Sequence, residues 1–169
     1  MKKLKWILYA AMALFFASCG YQLEGGGYVS NGVSLVAVRA LENKTSETGA
    51  VVAFTNAIIR EIIQKTDTRV VDESRATAFL EGTIKKITFT ALSRSSTESV
   101  LERRIVATMD LKLISRDDEV IWSVTDLTSY EDYKVSSDKV TDEGNKKAGV
   151  EKIAIRIAEK LINKLTNNF

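Results

Sequence analysis

The sequence predicts an α+β fold: a two-layer sandwich in which one mixed four-stranded sheet carries two helices on one face, in the order β-α-β-β-β-α. Three observations lead there. Ile105, Ala107, Met109, Leu111 and Leu113 alternate with Val106, Thr108, Asp110 and Lys112, the period of a strand with one buried face. Val51, Phe54, Ile58 and Ile62, and later Val150, Ile153, Ile157, Leu161 and Leu165, recur at helical spacing. Between the strands, polar runs at 92–99 and 116–119 are short enough to be hairpin turns.

The chain opens on Lys2, Lys3 and Lys5, followed by an uncharged apolar run from Trp6 to Ala17 and by the single cysteine, Cys19. A bilayer-spanning helix needs about 20 apolar residues, and this run stops short. Residues 1–18 are therefore expected to be a cleaved signal peptide of the lipoprotein type, with lipid on the Cys19 thiol and Cys19 as the new N-terminus. Phe16 stands where such sequences usually have leucine. The other reading is a short N-terminal membrane anchor with a buried cysteine. Residues 19–32 include Gly25, Gly26 and Gly27 and have no apolar period, so they are expected to be a flexible tether, with one domain over 33–169. A phosphate-cradling loop is excluded there, because no strand precedes the glycines and no Gly-Lys-Ser/Thr follows. Glycine at position 20, where an aspartate retains many lipoproteins at the inner membrane, is compatible with the periplasmic side of the outer membrane.

Removing the signal peptide leaves about 150 residues, one domain's worth. It also removes three cations from a chain whose formal net charge is only +2. The remainder is faintly acidic, so net charge gives no case for nucleic acid. With Cys19 acylated, no thiol remains for a disulfide, and stability must come from an apolar core.

Val33 to Val38 alternates and reads as the first strand, broken at 41–46 by Leu41-Glu42-Asn43-Lys44-Thr45-Ser46. A helix is expected over about 48–65, with Arg60, Glu61, Gln64 and Lys65 on or beside its wet face. A short strand over 69–71 is open, as a separate piece or joined to the next one. From Phe79 to Leu92 the apolar parity changes: Leu80, Gly82 and Ile84 share one face, Ile87, Phe89 and Ala91 the other parity. A β-bulge near Lys85 and Lys86 would produce that slip. After the strand through Leu113, the last strand is expected over Val120–Tyr130 with Trp122 inward, and a polar loop over 133–140. Thr141-Asp142-Glu143 supplies a cap and first-turn acids for a helix to about Leu165. A helical crossover makes the first two long strands parallel, and hairpins make the others alternate. The connections at 42–48, 92–99 and 132–140 then share one end of the sheet, with the tether entering at the other.

The chemistry is sparse. With no histidine, the commonest general base and metal ligand are missing. The serines sit in polar loops without a Ser-x-x-Lys on a helix, and no carboxylate pair stands out. Asp117-Asp118-Glu119 lacks the glycine and spacing of a calcium loop. The chain is expected not to be an enzyme, with no catalytic residue, no metal site and no cofactor beyond the lipid on Cys19.

Cys19-Gly20-Tyr21-Gln22-Leu23, Asn43-Lys44-Thr45, Leu80-Glu81-Gly82-Thr83-Ile84, Val120-Ile121-Trp122 and Ala158-Glu159-Lys160-Leu161 together resemble the LptE family of lipopolysaccharide-assembly lipoproteins, in the same order along the chain. Tyr21-Gln22 and the lack of a long polar C-terminal tail differ from some members. The resemblance implies a non-catalytic outer-membrane lipoprotein that plugs an LptD-type β-barrel and assists lipopolysaccharide assembly at the outer leaflet. It also implies basic lipopolysaccharide contacts in two loops, carried here by Arg94 on the hairpin tip and Lys139 before the last helix, with Lys134, Arg103 and Arg104 nearby. Another kind of lipoprotein adaptor, a secretin pilotin or an activator of a peptidoglycan synthase, is the alternative.

Overall fold

The computed structural model describes residues 27–30, 32–94 and 100–166. The expected signal peptide, Cys19, most of the tether, the hairpin tip at 95–99 and the Arg94 side chain lie outside the described residues. The elements are β1 (Leu35–Val38), β2 (Glu42–Asn43), α1 (Ala50–Lys65), β3 (Arg69–Val70), β4 (Ala78–Arg94), β5 (Val100–Ser115), β6 (Val120–Lys134) and α2 (Lys139–Thr166). The fold is α+β with a mixed open sheet, in the order β3-β1-β4-β5-β6, and with β2 beside β4.

The sheet has six strands rather than the expected four, for two reasons. β2 runs in the same lane as β1: Val38 pairs with Leu80 and Glu42 with Thr83, four residues against three, so one extra residue divides a single lane along β4. Leu41, at that step, turns into the core and is buried. β3 is a separate strand, parallel to β1 on the side away from β4. The crossover does make β1 parallel to β4, and both hairpins are antiparallel.

The parity slip in β4 is a bulge between Ile84 and Lys86. Before it, Leu80, Gly82 and Ile84 pair with Leu113, Leu111 and Met109; after it, Ile87 and Phe89 pair with Ala107 and Ile105. The apolar series of β5 therefore stays on one face while that of β4 changes parity to follow it. A second irregularity falls opposite, between Met109 and Leu111 on β5, where Asp126 of β6 takes φ 54°. Lys85 ties the two together, 2.8 Å from Asp126 Oδ1 and 3.2 Å from Asp110 Oδ2.

One apolar cluster joins this sheet face to both helices: Phe54, Ile58 and Ile62 of α1, Ile153, Ile157, Leu161 and Leu165 of α2, and Leu80, Ile84, Ile105, Met109 and Leu113 of the sheet. Glu61, expected on the wet side of α1, is buried. Val29 and Ser30, in the stretch expected to be tether, are also buried; the Val29 amide donates to Thr68 Oγ1 and the Ser30 amide to Leu165 O. The chain thus joins the domain beside the start of β3 and the end of α2, away from the β4–β5 hairpin.

β6 continues through Lys134, four residues beyond its expected end, and α2 begins at Lys139. Tyr133 is buried on the inner face rather than lying in a loop. The cap of α2 is Asp138, whose Oδ1 accepts from the Thr141 amide at 2.8 Å and its hydroxyl at 2.7 Å. Thr141 is one turn inside the helix, where its own amide is the one being capped.

Candidate functional site

The end of the sheet that gathers the β2–α1 connection, the β4–β5 hairpin and the β6–α2 connection is built from short-range polar turns on an aromatic base. Asn43 Oδ1 accepts from the Thr45 amide at 3.0 Å and the Thr45 hydroxyl at 2.8 Å, while its Nδ2 donates to Glu47 O at 3.0 Å. Asn43-Lys44-Thr45 is thus a side-chain-closed turn that aims the chain into α1. On the other side, Ser136 N donates to Asp142 Oδ1 at 3.1 Å and Asn145 Nδ2 to Lys134 O at 3.0 Å, which folds the first turns of α2 back on β6.

Beneath the turns, Phe89 and Tyr133 meet edge to face, their centroids 6.5 Å apart. Lys146 of α2 lies 5.0 Å from the centre of the Phe89 ring and 2.8 Å from Glu47 Oε1. The hydrogen bond to Glu47 raises the Lys146 pKa above its ordinary value, against the opposing effect of burial. This cation is a structural link between α2 and the β2–α1 connection. Gly149 completes the base, because a β-carbon there would stand 2.6 Å from Ile105 Cδ1.

The expected site residues separate into two groups. Arg104 lies on the outer face, its Nε and Nη2 donating to the two Asp132 oxygens at 2.8 Å each, with its guanidinium 4.3 Å from the Tyr130 ring centre. Arg103 faces the Tyr133 hydroxyl at 3.5 Å, and that bond is the main cause of its raised pKa. Both are occupied within the fold. Lys134 and Lys139 are exposed and, among the described residues, have no ion-pair partner. Lys139 is the first residue of α2 rather than a loop residue, and Arg94 closes β4 rather than standing on the hairpin tip. β4 and β6 flank β5, so Arg94 and Lys134 sit on strands about 10 Å apart.

Apolar side chains at the same end were missed in the sequence. Leu92, Leu101 and Val140 are exposed, Val140 at 82 %. Leu101 and Val140 carry no signal alone, since each is one apolar residue beside charged ones; only the antiparallel register and the α2 start bring them to the same end of the sheet. The end therefore carries both exposed cations and exposed apolar side chains. Among the described residues, no group of three or more acidic, histidine or cysteine side chains is arranged to hold a metal.

A family model for LptE, lipopolysaccharide-assembly, matches residues 34–165, all eight elements but the last residue of α2. The chain belongs to the LptE lipopolysaccharide-assembly family. No curated protein matches the LptE-family chain by sequence. Its fold is similar to those of lipoprotein B from Nitrosomonas europaea (TM-score 0.56, 14 % identity, 87 % of this chain and 90 % of that one) and rare lipoprotein B from Shewanella oneidensis (0.50, 12 %, 76 % and 92 %). It is also similar to PelC from Paraburkholderia phytofirmans, solved as a dodecamer (0.50, 16 %, 79 % and 89 %). At such identities these likenesses establish the fold of this LptE-family chain and nothing finer. No helix among the described residues is long and apolar enough to cross a membrane.

Proposed function

We propose that this LptE-family chain is a non-catalytic lipoprotein, held by lipid on Cys19 at the periplasmic side of the outer membrane. It plugs an LptD-type β-barrel and presents its loop end to lipopolysaccharide. The observation that carries this reading is the amphiphilic loop end: exposed Lys134 and Lys139 at the same end of the sheet as exposed Leu92, Leu101 and Val140, opposite the end where the N-terminal segment joins the domain. Lipopolysaccharide combines phosphates and acidic sugars with acyl chains. Arginine forks and lysine ammonium groups hold phosphate by charge-assisted bonds, and apolar side chains cover acyl surface. Arg94 and Lys139 are the assigned phosphate contacts, with Lys134 beside them.

The anchor fits the same arrangement. One acyl chain binds a membrane marginally and two or more hold it stably, so a lipidated Cys19 keeps the domain at the membrane surface with its joining end toward the lipid. Affinity purification of the full chain from detergent-solubilised outer membrane tests the partnership. Recovery of a large outer-membrane β-barrel with the chain is expected; recovery of a secretin or a peptidoglycan synthase in its place would overturn the plug role.

A further inference from the structure

β6 ends the sheet, and its free side is only partly closed. The Val135 amide donates to Leu101 O at 2.9 Å, which sets the phase of the β5–β6 ladder. With Glu102 opposite Lys134, the hydrogen-bonded pairs are Arg103 with Tyr133, Ile105 with Glu131 and Ala107 with Ser129. The backbone amides and carbonyls of Thr128, Tyr130, Asp132 and Lys134 then point away from β5. Two carbonyls are taken by α2: Lys160 Nζ donates to Thr128 O at 2.9 Å and Asn145 Nδ2 to Lys134 O at 3.0 Å. Between them, the amides and carbonyls of Tyr130 and Asp132 have no partner among the described residues.

Along this open edge runs a groove of about 760 Å3 between β6 and α2. Lys152, Arg156 and Lys160 recur every fourth residue on that side of α2 and line it. Arg156 Nη2 lies 2.7 Å and Lys152 Nζ 3.6 Å from the oxygens of Glu131, a carboxylate only 11 % exposed. Glu131 and Glu159 offset two of the three cations, so the groove keeps a positive excess. On the opposite side of the edge, the Tyr130 ring is half exposed.

We propose that the β6 edge is a docking site for an extended acidic segment of a partner protein, which joins the sheet as a further strand. Its backbone pairs with Tyr130 and Asp132; side chains of one parity are acidic and meet the α2 cations, and those of the other are apolar and cover Tyr130. A second copy of this chain is the wrong occupant. Edge-to-edge pairing of two β6 strands would set Lys152, Arg156 and Lys160 against their own counterparts, and Glu131 against Glu131. The inward Glu131 and the bracketed carbonyls guard against such pairing. This surface does not depend on the loop-end reading.

The test uses the full lipidated chain in detergent micelles, with a synthetic peptide of alternating glutamate and valine as probe and a lysine–valine peptide as control. Hydrogen exchange at the Tyr130 and Asp132 amides should slow with the acidic peptide and not with the basic one. Tyr130→Pro removes an outward amide without breaking the ladder to β5, together with the ring that the peptide covers, and should weaken the acidic peptide at least about tenfold, the equivalent of one backbone hydrogen bond or more. Should that variant fail to fold, Lys152→Gln with Lys160→Gln is expected to weaken binding in its place. Equal binding of the two peptides, or undiminished binding in the variant that folds, overturns the proposal. So does protection of both amides without peptide: dependence on protein concentration would mean a second copy covers the edge, and independence that the chain covers its own.

Discussion

The Leu41 side chain fills the space beside Gly82: a β-carbon on Gly82 would stand 3.1 Å from Leu41 Cδ2, 2.6 Å from Leu111 Cδ2 and 2.9 Å from Asp110 O. Leu41 is the residue at the break between β1 and β2, so the glycine and the extra residue in the neighbouring lane are one packing arrangement. Gly82→Ala should overpack this point by about 1–3 kcal/mol, because the Asp110 carbonyl belongs to the backbone and cannot rotate aside. Thermal unfolding checks it: a clear fall in Tm is expected for Gly82→Ala, and a small rise for Gly144→Ala, an exposed glycine inside α2 whose added carbon would meet open space.

Ile157 is fully buried in the cluster between α2 and the sheet. Ile157→Asp should cost several kcal/mol, enough to unfold a domain of ordinary stability, because it buries a carboxylate with no partner. Arg156, next in the chain and half exposed, is no neutral control: without it, Glu131 loses its closest cation. Glu159→Ala is the better comparison, an exposed position expected to change stability by less than about 0.5 kcal/mol. Denaturant titration of both variants measures the difference.

Acid sensitivity should concentrate where the carboxylates are held. Asp110 lies below its ordinary pKa, chiefly because it accepts from the Asp126 amide and secondarily because of Lys85. Asp132 is lowered by Arg104, and Glu81 by Lys112 and then Arg39. A carboxylate depressed in the folded state contributes stability that is present above its unfolded value and lost as pH falls through the folded value. Stability should therefore decline from about pH 4 downward, the ordinary carboxylate range. Asp110→Asn should flatten that decline while lowering Tm at neutral pH, read from thermal melts across the acid range.

Lipidation has its own check. Cys19→Ala should abolish incorporation of labelled palmitate and leave an unprocessed or mislocalised precursor; equal labelling of the variant would contradict the anchor.

How much of this was legible in the sequence follows from how local each signal is. The β4 bulge could be read because Leu80, Gly82 and Ile84 switch to Ile87 and Phe89 within one strand. β2 could not, since a two-residue strand has no period and its lane is set by the distant β4. The end of β6 was hidden by Glu131, a charged residue at an inward position just past the expected end at Tyr130. Only Lys152 and Arg156, about twenty residues later in sequence, make an inward Glu131 tolerable. The start of α2 was misplaced because Asp138 and Thr141 are both good caps, and the choice between them depends on where β6 releases the chain. The loop-end cations were visible as residue types, but which were free was not: Arg104 is absorbed by Asp132, and Lys139 is left to solvent.

The most direct test of the loop-end surface is lipopolysaccharide binding by Arg94→Asp combined with Lys139→Asp, measured at low and high salt against the unaltered chain. Each change turns an attractive charge into one that repels phosphate; Lys139 is exposed and such a charge contributes little to folding, and the Tm of the double variant is the control for the change at Arg94. Binding should fall at least about tenfold in the double variant. Salt should weaken the unaltered chain's binding, since exposed charges are screened over about 8 Å at physiological ionic strength. If plug and ligand surfaces are distinct, co-purification with an LptD-type barrel should survive. Lipopolysaccharide binding that is unchanged in the double variant at both salt concentrations would contradict the account.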